Sequence, residues 1–298
     1  MKVYTAFNPQ MEFMASLFVF EQRSIFKKVD LGTKWRKEVS QLLPNEFITS
    51  LERKEVQVTL TWIHRCIQYG IFNGDSIDDL LKWTMDLDKV GLVEELSKQI
   101  ATTPPPLPIV EVYKLLDQWN NYYFSTLDPS ILHSLEEKQR EIESLISNYD
   151  AVEVINIVTN GLQLEGFSED LTVTLIPQYH ARPIVLYQQD RNHHFYQFSV
   201  DDIKGTNVIP PKFLRVQQAL SDENRLQILK QLANNPQTFK SIHQAIGLAK
   251  STVHHHLIAL RSAGLVHLHI SPTGQDYYSF REQGVKEMER RVLQYIFN

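Results

Sequence analysis

Pro236-Gln-Thr-Phe-Lys-Ser-Ile-His-Gln-Ala-Ile-Gly-Leu-Ala-Lys-Ser-Thr-Val-His-His-His-Leu-Ile-Ala-Leu-Arg-Ser-Ala-Gly-Leu-Val266 decides the fold of the C-terminal third of this chain. Thr238 is placed to cap a short helix carrying Ile242, Ala245 and Ile246, because a threonine hydroxyl satisfies a free amide of the first turn. Gly247 supplies the left-handed backbone that ends such a helix. Leu248 then turns inward, and a second helix begins near Lys250. In that helix Val253, Leu257 and Leu260 recur at i, i+4 and i+7 as an apolar stripe, with His256 at its margin. Ser251, His254, His255 and Ile258 fall on the opposite side.

These features alone describe a helical hairpin with a solvated face as well as they describe a DNA reader. The next residues separate the two. Gly264 ends the second helix, and Leu265-Val-His-Leu-His-Ile270 alternates as a half-buried strand does. Pro272-Thr-Gly-Gln275 is a turn signal, and Asp276-Tyr-Tyr-Ser-Phe280 reads as the returning strand. Helix, turn, helix and β-hairpin in that order is the layout of a winged helix-turn-helix. Its second helix enters a DNA major groove, where small hydroxyls and imidazoles reach base edges and Lys250 meets a phosphate. The wing tip, Thr273, Gly274 and Gln275, lies beside the backbone or minor groove.

Further blocks carry a family resemblance. Ala219-Leu-Ser-Asp-Glu-Asn-Arg-Leu-Gln-Ile-Leu-Lys-Gln-Leu232 resembles the opening helix of the ArsR/SmtB family of bacterial winged-helix regulators. Val253-His-His-His-Leu257, Leu260-Arg261 and Ala263-Gly-Leu-Val266 resemble that family's recognition helix and its exit, so the resemblance spans residues 213–298. It implies a dimeric repressor that reads an inverted repeat in double-stranded DNA, with Lys250, Thr252, His254 and His255 facing the DNA. Ala249 departs from the pattern, standing where a capping Ser or Thr is common, at a cost of about 1 kcal/mol. The last helix, about Glu282 to Phe297, places Val285, Met288, Val292 and Ile296 on one face, with Leu293 and Tyr295 flanking it. In a monomer that face covers the module's own core; by the resemblance it pairs across a two-fold axis.

Charge is divided unevenly. From Lys212 onward 11 Lys and Arg face 6 Asp and Glu, a balance of +5, while residues 1–211 carry 19 against 29, a balance of −10. A net charge of −5 would argue against nucleic acid; a basic module on an acidic partner argues for it. Six of the 11 histidines lie in the basic module, so DNA affinity is expected to rise as pH falls toward about 6.

The 298 residues, 43% of them hydrophobic, suffice for two domains. We expect an α+β, mainly α chain with three parts. Residues 1–200 form a mainly helical sensor or assembly domain ending in a small antiparallel β-meander, 201–212 a linker stiffened by Pro210-Pro211, and 213–298 the winged helix-turn-helix. Helical patterns occupy roughly 9–18, 31–42, 45–69, 76–84, 87–100, 109–125, 129–148 and 151–162, although Val56-Gln-Val-Thr-Leu-Thr61 has strand character. Leu171–Ile176, Pro183–Tyr187 and His194–Val200 read as the three meander strands. The long extension resembles those on a subset of ArsR-like regulators in Gram-positive bacteria. No run approaches 18 apolar residues, the N-terminus lacks a signal-peptide pattern, and the single Cys66 precludes an internal disulfide, all consistent with a cytoplasmic protein without membrane contact.

The input is less legible. Metal sensors of the resembled family use thiolates on the first helix of the helix-turn-helix or histidines on the last helix. Residues 238–246 contain no cysteine and 282–298 no histidine, so no metal site and no cofactor is expected. His267 with His269, and His193-His194 with His180, leave a zinc-responsive repressor as an alternative, beside solvated loop imidazoles. A winged helix that binds protein without specific DNA recognition is a second alternative. Trp35, Trp62, Trp83 and Trp119 all lie outside the DNA module, and either line an apolar pocket for a small-molecule effector or anchor a helical core. No nucleophile elbow, phosphate-cradling glycine loop or H-E-x-x-H motif occurs. His64 and Cys66 would diverge by about 200° on a helix, so no enzymatic activity is expected.

Overall fold

The computed structural model describes residues 1–87, 91–106, 108–190, 192–203 and 211–297. Its elements run β1 (Lys2–Thr5), α1 (Pro9–Glu21), α2 (Arg23–Phe26), α3 (Gly32–Leu42), α4 (Asn45–Leu51), α5 (Lys54–Gln68), α6 (Ile77–Asp86), α7 (Leu92–Gln99), α8 (Ile109–Tyr122), α9 (Pro129–Asn148) and α10 (Ala151–Val158). There follow β2 (Leu162–Leu164), β3 (Thr172–Gln178), β4 (Leu186–Asp190), β5 (His193–Ser199), α11 (Pro211–Leu220), α12 (Glu223–Asn234), β6 (Gln237–Thr238), α13 (Phe239–Ile246), α14 (Lys250–Ser262), β7 (Val266–Ile270), β8 (Tyr277–Phe280) and α15 (Glu282–Phe297). The chain is α+β and mainly helical. Two compact units result, one of Phe7–Glu137 with Pro177–Arg182, the other of Met1–Ala6, Lys138–Ile176 and Pro183–Asn298. The second draws residues from both sides of the expected linker, of which 204–210 lie outside the described residues and 211–212 open α11. No described helix is long and apolar enough to cross a membrane.

The helical unit is organised around α1. Asn8 caps it, its side-chain oxygen accepting from the Met11 amide at 2.9 Å, and Pro9 occupies the first turn, where its missing N–H costs nothing. Met11, Phe13, Met14, Leu17, Val19 and Phe20 are buried on every side, as in a helix enclosed by others. The tryptophans are core anchors. Trp119 Nε1 donates to Ser16 Oγ at 2.9 Å, Trp62 Nε1 to Ser97 Oγ at 2.9 Å and Trp35 Nε1 to Tyr123 Oη at 2.8 Å. Trp83 stacks on Trp62 at 6.2 Å. The segment 45–69 forms two helices, and the strand-like Val56–Thr61 is helical because Val56, Thr59, Leu60 and Ile63 bury one face at that period.

The second unit holds two four-stranded sheets. The first has the order β1-β3-β5-β4, with β1 parallel to β3 and β4 antiparallel to β5. This corrects the expected antiparallel meander: the β4–β5 hairpin presents β5 to β3 and leaves β4 outside, and β1 takes the other edge, so the sheet is mixed. The second sheet, β2-β7-β8-β6, extends the wing hairpin β7–β8 by one strand on each edge. Helix α10 ends at Val158 rather than continuing to 162, because Asn160 at φ 62° and Gly161 at φ 115° turn the chain into β2.

Gly284 sits within α15, where alanine normally gains about 1 kcal/mol over glycine. A Cβ there would lie 2.2 Å from the Gly264 carbonyl oxygen, a backbone atom fixed by the helix exit. Overpacking should therefore win, and Gly284→Ala is expected to lower stability by about 1–3 kcal/mol. Urea denaturation reads the result; a raised midpoint would show that helix propensity prevails.

Candidate nucleic-acid interface

The helix-turn-helix is closed by the residues that its sequence marks for caps. Thr238 Oγ1 accepts from the Ser241 amide at 3.3 Å, and Gly247 ends α13 at φ 73°. Ala249 gives α14 no side-chain cap, so the amides of its first turn lack that partner. Val253, Leu257 and Leu260 are buried against Ile228, Leu232, Ile242 and Leu265. His256 is buried with them, its ring 3.8 Å from the Asp222 carboxylate, and burial lowers its pKa.

With that stripe turned inward, Lys250, Ser251, Thr252, His254 and His255 are all exposed on one side of the N-terminal half of α14. Thr273, Gly274 and Gln275 are exposed at the wing tip. Two residues absent from the sequence-derived set join the helix face. Phe239 and Tyr278, with Lys250, Ser251 and His254, line an open hollow of about 730 Å³. The Phe239 ring meets His254 edge-on at 6.1 Å, and the Lys250 ammonium lies 6.0 Å over the same ring. Nothing in the apolar period distinguishes such a ring from a core residue. Chemically this face offers an exposed cation, hydroxyls, two imidazoles and the uncapped dipole end of a helix, groups suited to phosphates and base edges.

The wing is fastened at its outer edge. Strand β2 pairs parallel with β7 through Leu162↔Leu268, Gln163↔His269 and Leu164↔Ile270. Just past β2, Glu165 accepts from His269 Nδ1 at 2.7 Å and from the Tyr277 hydroxyl, while His269 Nε2 meets Ser279 Oγ at 2.8 Å. The His269 and Tyr277 rings stack at 4.2 Å. The Tyr277 bond holds the Glu165 carboxyl below its ordinary range and pushes the Tyr277 phenol up to about 12.

A second fastening holds the far end of α14. Arg261 donates from Nη1 to the Asn160 carbonyl at 2.6 Å and from Nη2 to the Thr159 carbonyl at 3.0 Å. These oxygens belong to the C-terminal end of α10, where helix carbonyls lack partners and the dipole favours a cation. Burial lowers the guanidinium to about 10, so it stays charged at neutral pH. Around it Arg281 donates to the Gly264 carbonyl at 3.1 Å and to Glu287 at 3.2 Å, and Lys212 reaches Asn160 Oδ1 at 3.2 Å and Glu287 at 3.4 Å. Burial opposes ionisation of Glu287, but Lys212 and Arg281 outweigh it and leave the carboxyl's pKa below the usual value.

The remaining named residues are dispersed. His180 is enclosed between Glu12 and Tyr123, His193 bonds Thr174 Oγ1 at 2.8 Å, and His194 lies edge-on to Phe167. Among the described residues no group of three or more His, Cys, Asp or Glu stands close enough to hold a metal ion. Burial pushes the Cys66 thiol up to about 12, which leaves it protonated at neutral pH. On α15, Val285 and Met288 pack on the module's own core, Val292 is half-buried, and Ile296 is 64% exposed beside exposed Leu293, Tyr295 and Phe297. The expected single face is thus divided between the core and solvent.

A family model described as "Bacterial regulatory protein, arsR family" matches residues 222–267. No curated protein matches the chain. Among solved structures, the chain is similar to a 1–100 fragment of a possible transcriptional regulatory protein from Mycobacterium bovis. Identity is 31% and the TM-score 0.24, over 28% of this chain and 89% of that one. The solution structure of a homodimeric winged helix-turn-helix DNA-binding domain from the same organism, a possible ArsR-family regulator, is 31% identical at TM-score 0.24, over 28% and 77% of the two chains. NolR from Sinorhizobium fredii is 22% identical at TM-score 0.24, over 31% of this chain and 97% of its own.

His267 on β7 supplies a pH test. Burial, with Arg281 and His269 nearby, lowers its pKa from 6.5 to about 4. The unfolded chain therefore binds the proton first, and stability falls as pH drops from about 6.5 toward 4. Urea midpoints measured between pH 7.5 and 5 should decline, and decline less steeply in His267→Gln; identical slopes would assign the loss to other groups.

Proposed function

From the premise that the chain belongs to the ArsR family of bacterial regulatory proteins through its C-terminal winged helix-turn-helix, we propose that it is a homodimeric repressor of an inverted-repeat operator. The chain is a DNA-binding transcriptional regulator; its dimeric state, the sign of regulation and the operator's symmetry are the proposal. One observation carries it: a packed apolar stripe on α14 leaves Lys250, Ser251, Thr252, His254 and His255 together and solvent-facing beside an exposed wing tip. Dimerisation is supported by the apolar residues that the end of α15 leaves in solvent, and by the homodimeric state given for the Mycobacterium bovis domain. In this reading residues 213–298 read DNA and the preceding residues supply sensing or assembly, with a non-metal effector acting through them.

The division of labour on α14 follows from chemistry. Lys250 is a point charge suited to phosphate, whereas His255 offers directional donors and acceptors to a base edge. Lys250→Ala is expected to weaken binding to all sequences and reduce the salt slope by about 1, while His255→Ala costs about 1–3 kcal/mol on the operator and relaxes preference. Fluorescence anisotropy over a salt series, with promoter DNA from the protein's own locus and scrambled competitor, distinguishes them. Equal loss of preference from both would overturn the assignment, and wild-type binding indifferent to sequence would favour a protein-interaction role instead.

A further inference from the structure

Phe239 and Tyr278 stand among the polar groups of the face proposed to read DNA, and the roles assigned to that face leave both rings unused. Each packs against the core of the winged helix and keeps part of its surface outside it. Their positions are set by the backbone. Phe239 opens α13 directly after the Thr238 cap, and Tyr278 pairs with Gln237 in the β6–β8 ladder. The surface that the core leaves uncovered lines, with Lys250, Ser251 and His254, the open hollow of about 730 Å³.

The hollow joins apolar surface to a positive rim. The Lys250 ammonium lies 6.0 Å over the Phe239 ring, the His254 ring meets it edge-on at 6.1 Å, and the His243 ring lies parallel to it at 6.3 Å. Ser251 lies in the first turn of α14, whose amides lack a side-chain cap. Burial raises the pKa of the Tyr278 phenol, so it stays neutral and does not repel an anion.

An open hollow covers too little of a free small molecule to hold it, since such sites bury about 70–90% of their ligand's surface. It suits one group of a macromolecule that is held at many other points. The adjoining cation and uncapped helix end favour a polyanion. Phosphates satisfy those charges but leave the rings without a partner. Of the groups that a DNA major groove presents, donors and acceptors recur on every base pair, and the one large apolar group is the C5 methyl of thymine. We infer that the hollow receives a thymine C5 methyl against Phe239 and Tyr278 while Lys250 meets a phosphate. Phe239 is then a specificity-determining residue, although it precedes the turn and lies outside α14. This deepens the DNA-reading role proposed for α14 and rests on it.

Thymine and uracil offer a protein the same hydrogen bonds and differ only by that methyl. The test therefore replaces each operator thymine singly by deoxyuridine. Fluorescence anisotropy reads binding of the full-length protein to an operator duplex selected from random sequence. At one thymine or more the exchange should weaken binding about fourfold, as for one buried CH₂-sized group. Phe239→Ala should erase that difference while still preferring the operator to scrambled DNA. Should the variant lose its fold by circular dichroism, 5-iododeoxyuridine at the same position decides with the wild-type protein. Its iodine stands where the methyl was, and irradiation should cross-link it to Phe239 or Tyr278. Sequence-selective binding with no methyl effect overturns the proposal and leaves the DNA reading intact. So does an effect that a folded Phe239→Ala retains, or a cross-link that is absent or falls elsewhere. Wild-type binding indifferent to sequence overturns both.

Discussion

The salt-free cation Arg261 is the constraint on which the second unit depends. Its side chain is half-buried and forms no salt bridge among the described residues; two main-chain oxygens at the end of α10 accept from it instead. A buried charge is tolerable only where fixed dipoles replace its hydration, and a helix C-terminus concentrates such dipoles. The arrangement holds only while Asn160 and Gly161 bend the chain at positive φ, presenting the carbonyls to α14 and delivering β2 to the free edge of β7. One turn therefore serves both α14 and the wing. Gly264, also at positive φ, lets the exit of α14 pass against Asn160, where a Cβ would lie 2.2 Å from its side-chain nitrogen.

This dependence explains what was legible in the sequence. Thr238, Gly247 and Gly264 act on neighbours within a few residues, so caps and turns announced the helix-turn-helix and its wing. The alternation of residues 265–270 and 276–280 marked β7 and β8 for the same reason. Leu162-Gln-Leu164 carries no comparable mark. Three residues have too short a period to read, and their partner lies more than 100 positions away. The same holds for β1, whose partner β3 begins at Thr172, and for the order of the first sheet, which depends on which hairpin edge is presented.

The site was readable to the same extent. Exposure of Lys250, Ser251, Thr252, His254 and His255 follows from the period of the stripe behind them. Phe239 and Tyr278 were not separable from core residues by pattern, since rings that line a hollow and rings that fill a core share one hydropathy. The tryptophans show the converse. Their indole nitrogens find Ser16, Ser97 and Tyr123 inside the helical unit, a satisfaction that only the packed structure displays. Glu12 is a stronger case: fully buried, it accepts from the Tyr179 and His180 amides and from the His180 ring, at 3.1, 3.0 and 2.5 Å. No local pattern pairs residue 12 with residue 180.

Where the tethers fall on α14 has a mechanical consequence. Lys250 opens α14 and Arg261 lies in its last turn, eleven residues or roughly 16 Å apart at about 1.5 Å per residue. The exposed groups proposed to meet DNA occupy one end of this helix, and the half-buried Arg261 holds the other. A small rotation at Asn160 would thus be enlarged at the reading end, and β2 would carry the wing with it. A ligand alters DNA affinity only by preferring one of two such arrangements. The candidates to set them are the positive-φ turn with its Arg261 and Lys212 contacts and the Glu165 contacts to the wing, all apart from the exposed face proposed to meet DNA. If α14 reads DNA as proposed, the groups that would contact it and the groups that anchor the helix are different residues, so the exposed face can vary while the anchored end keeps its carbonyls satisfied.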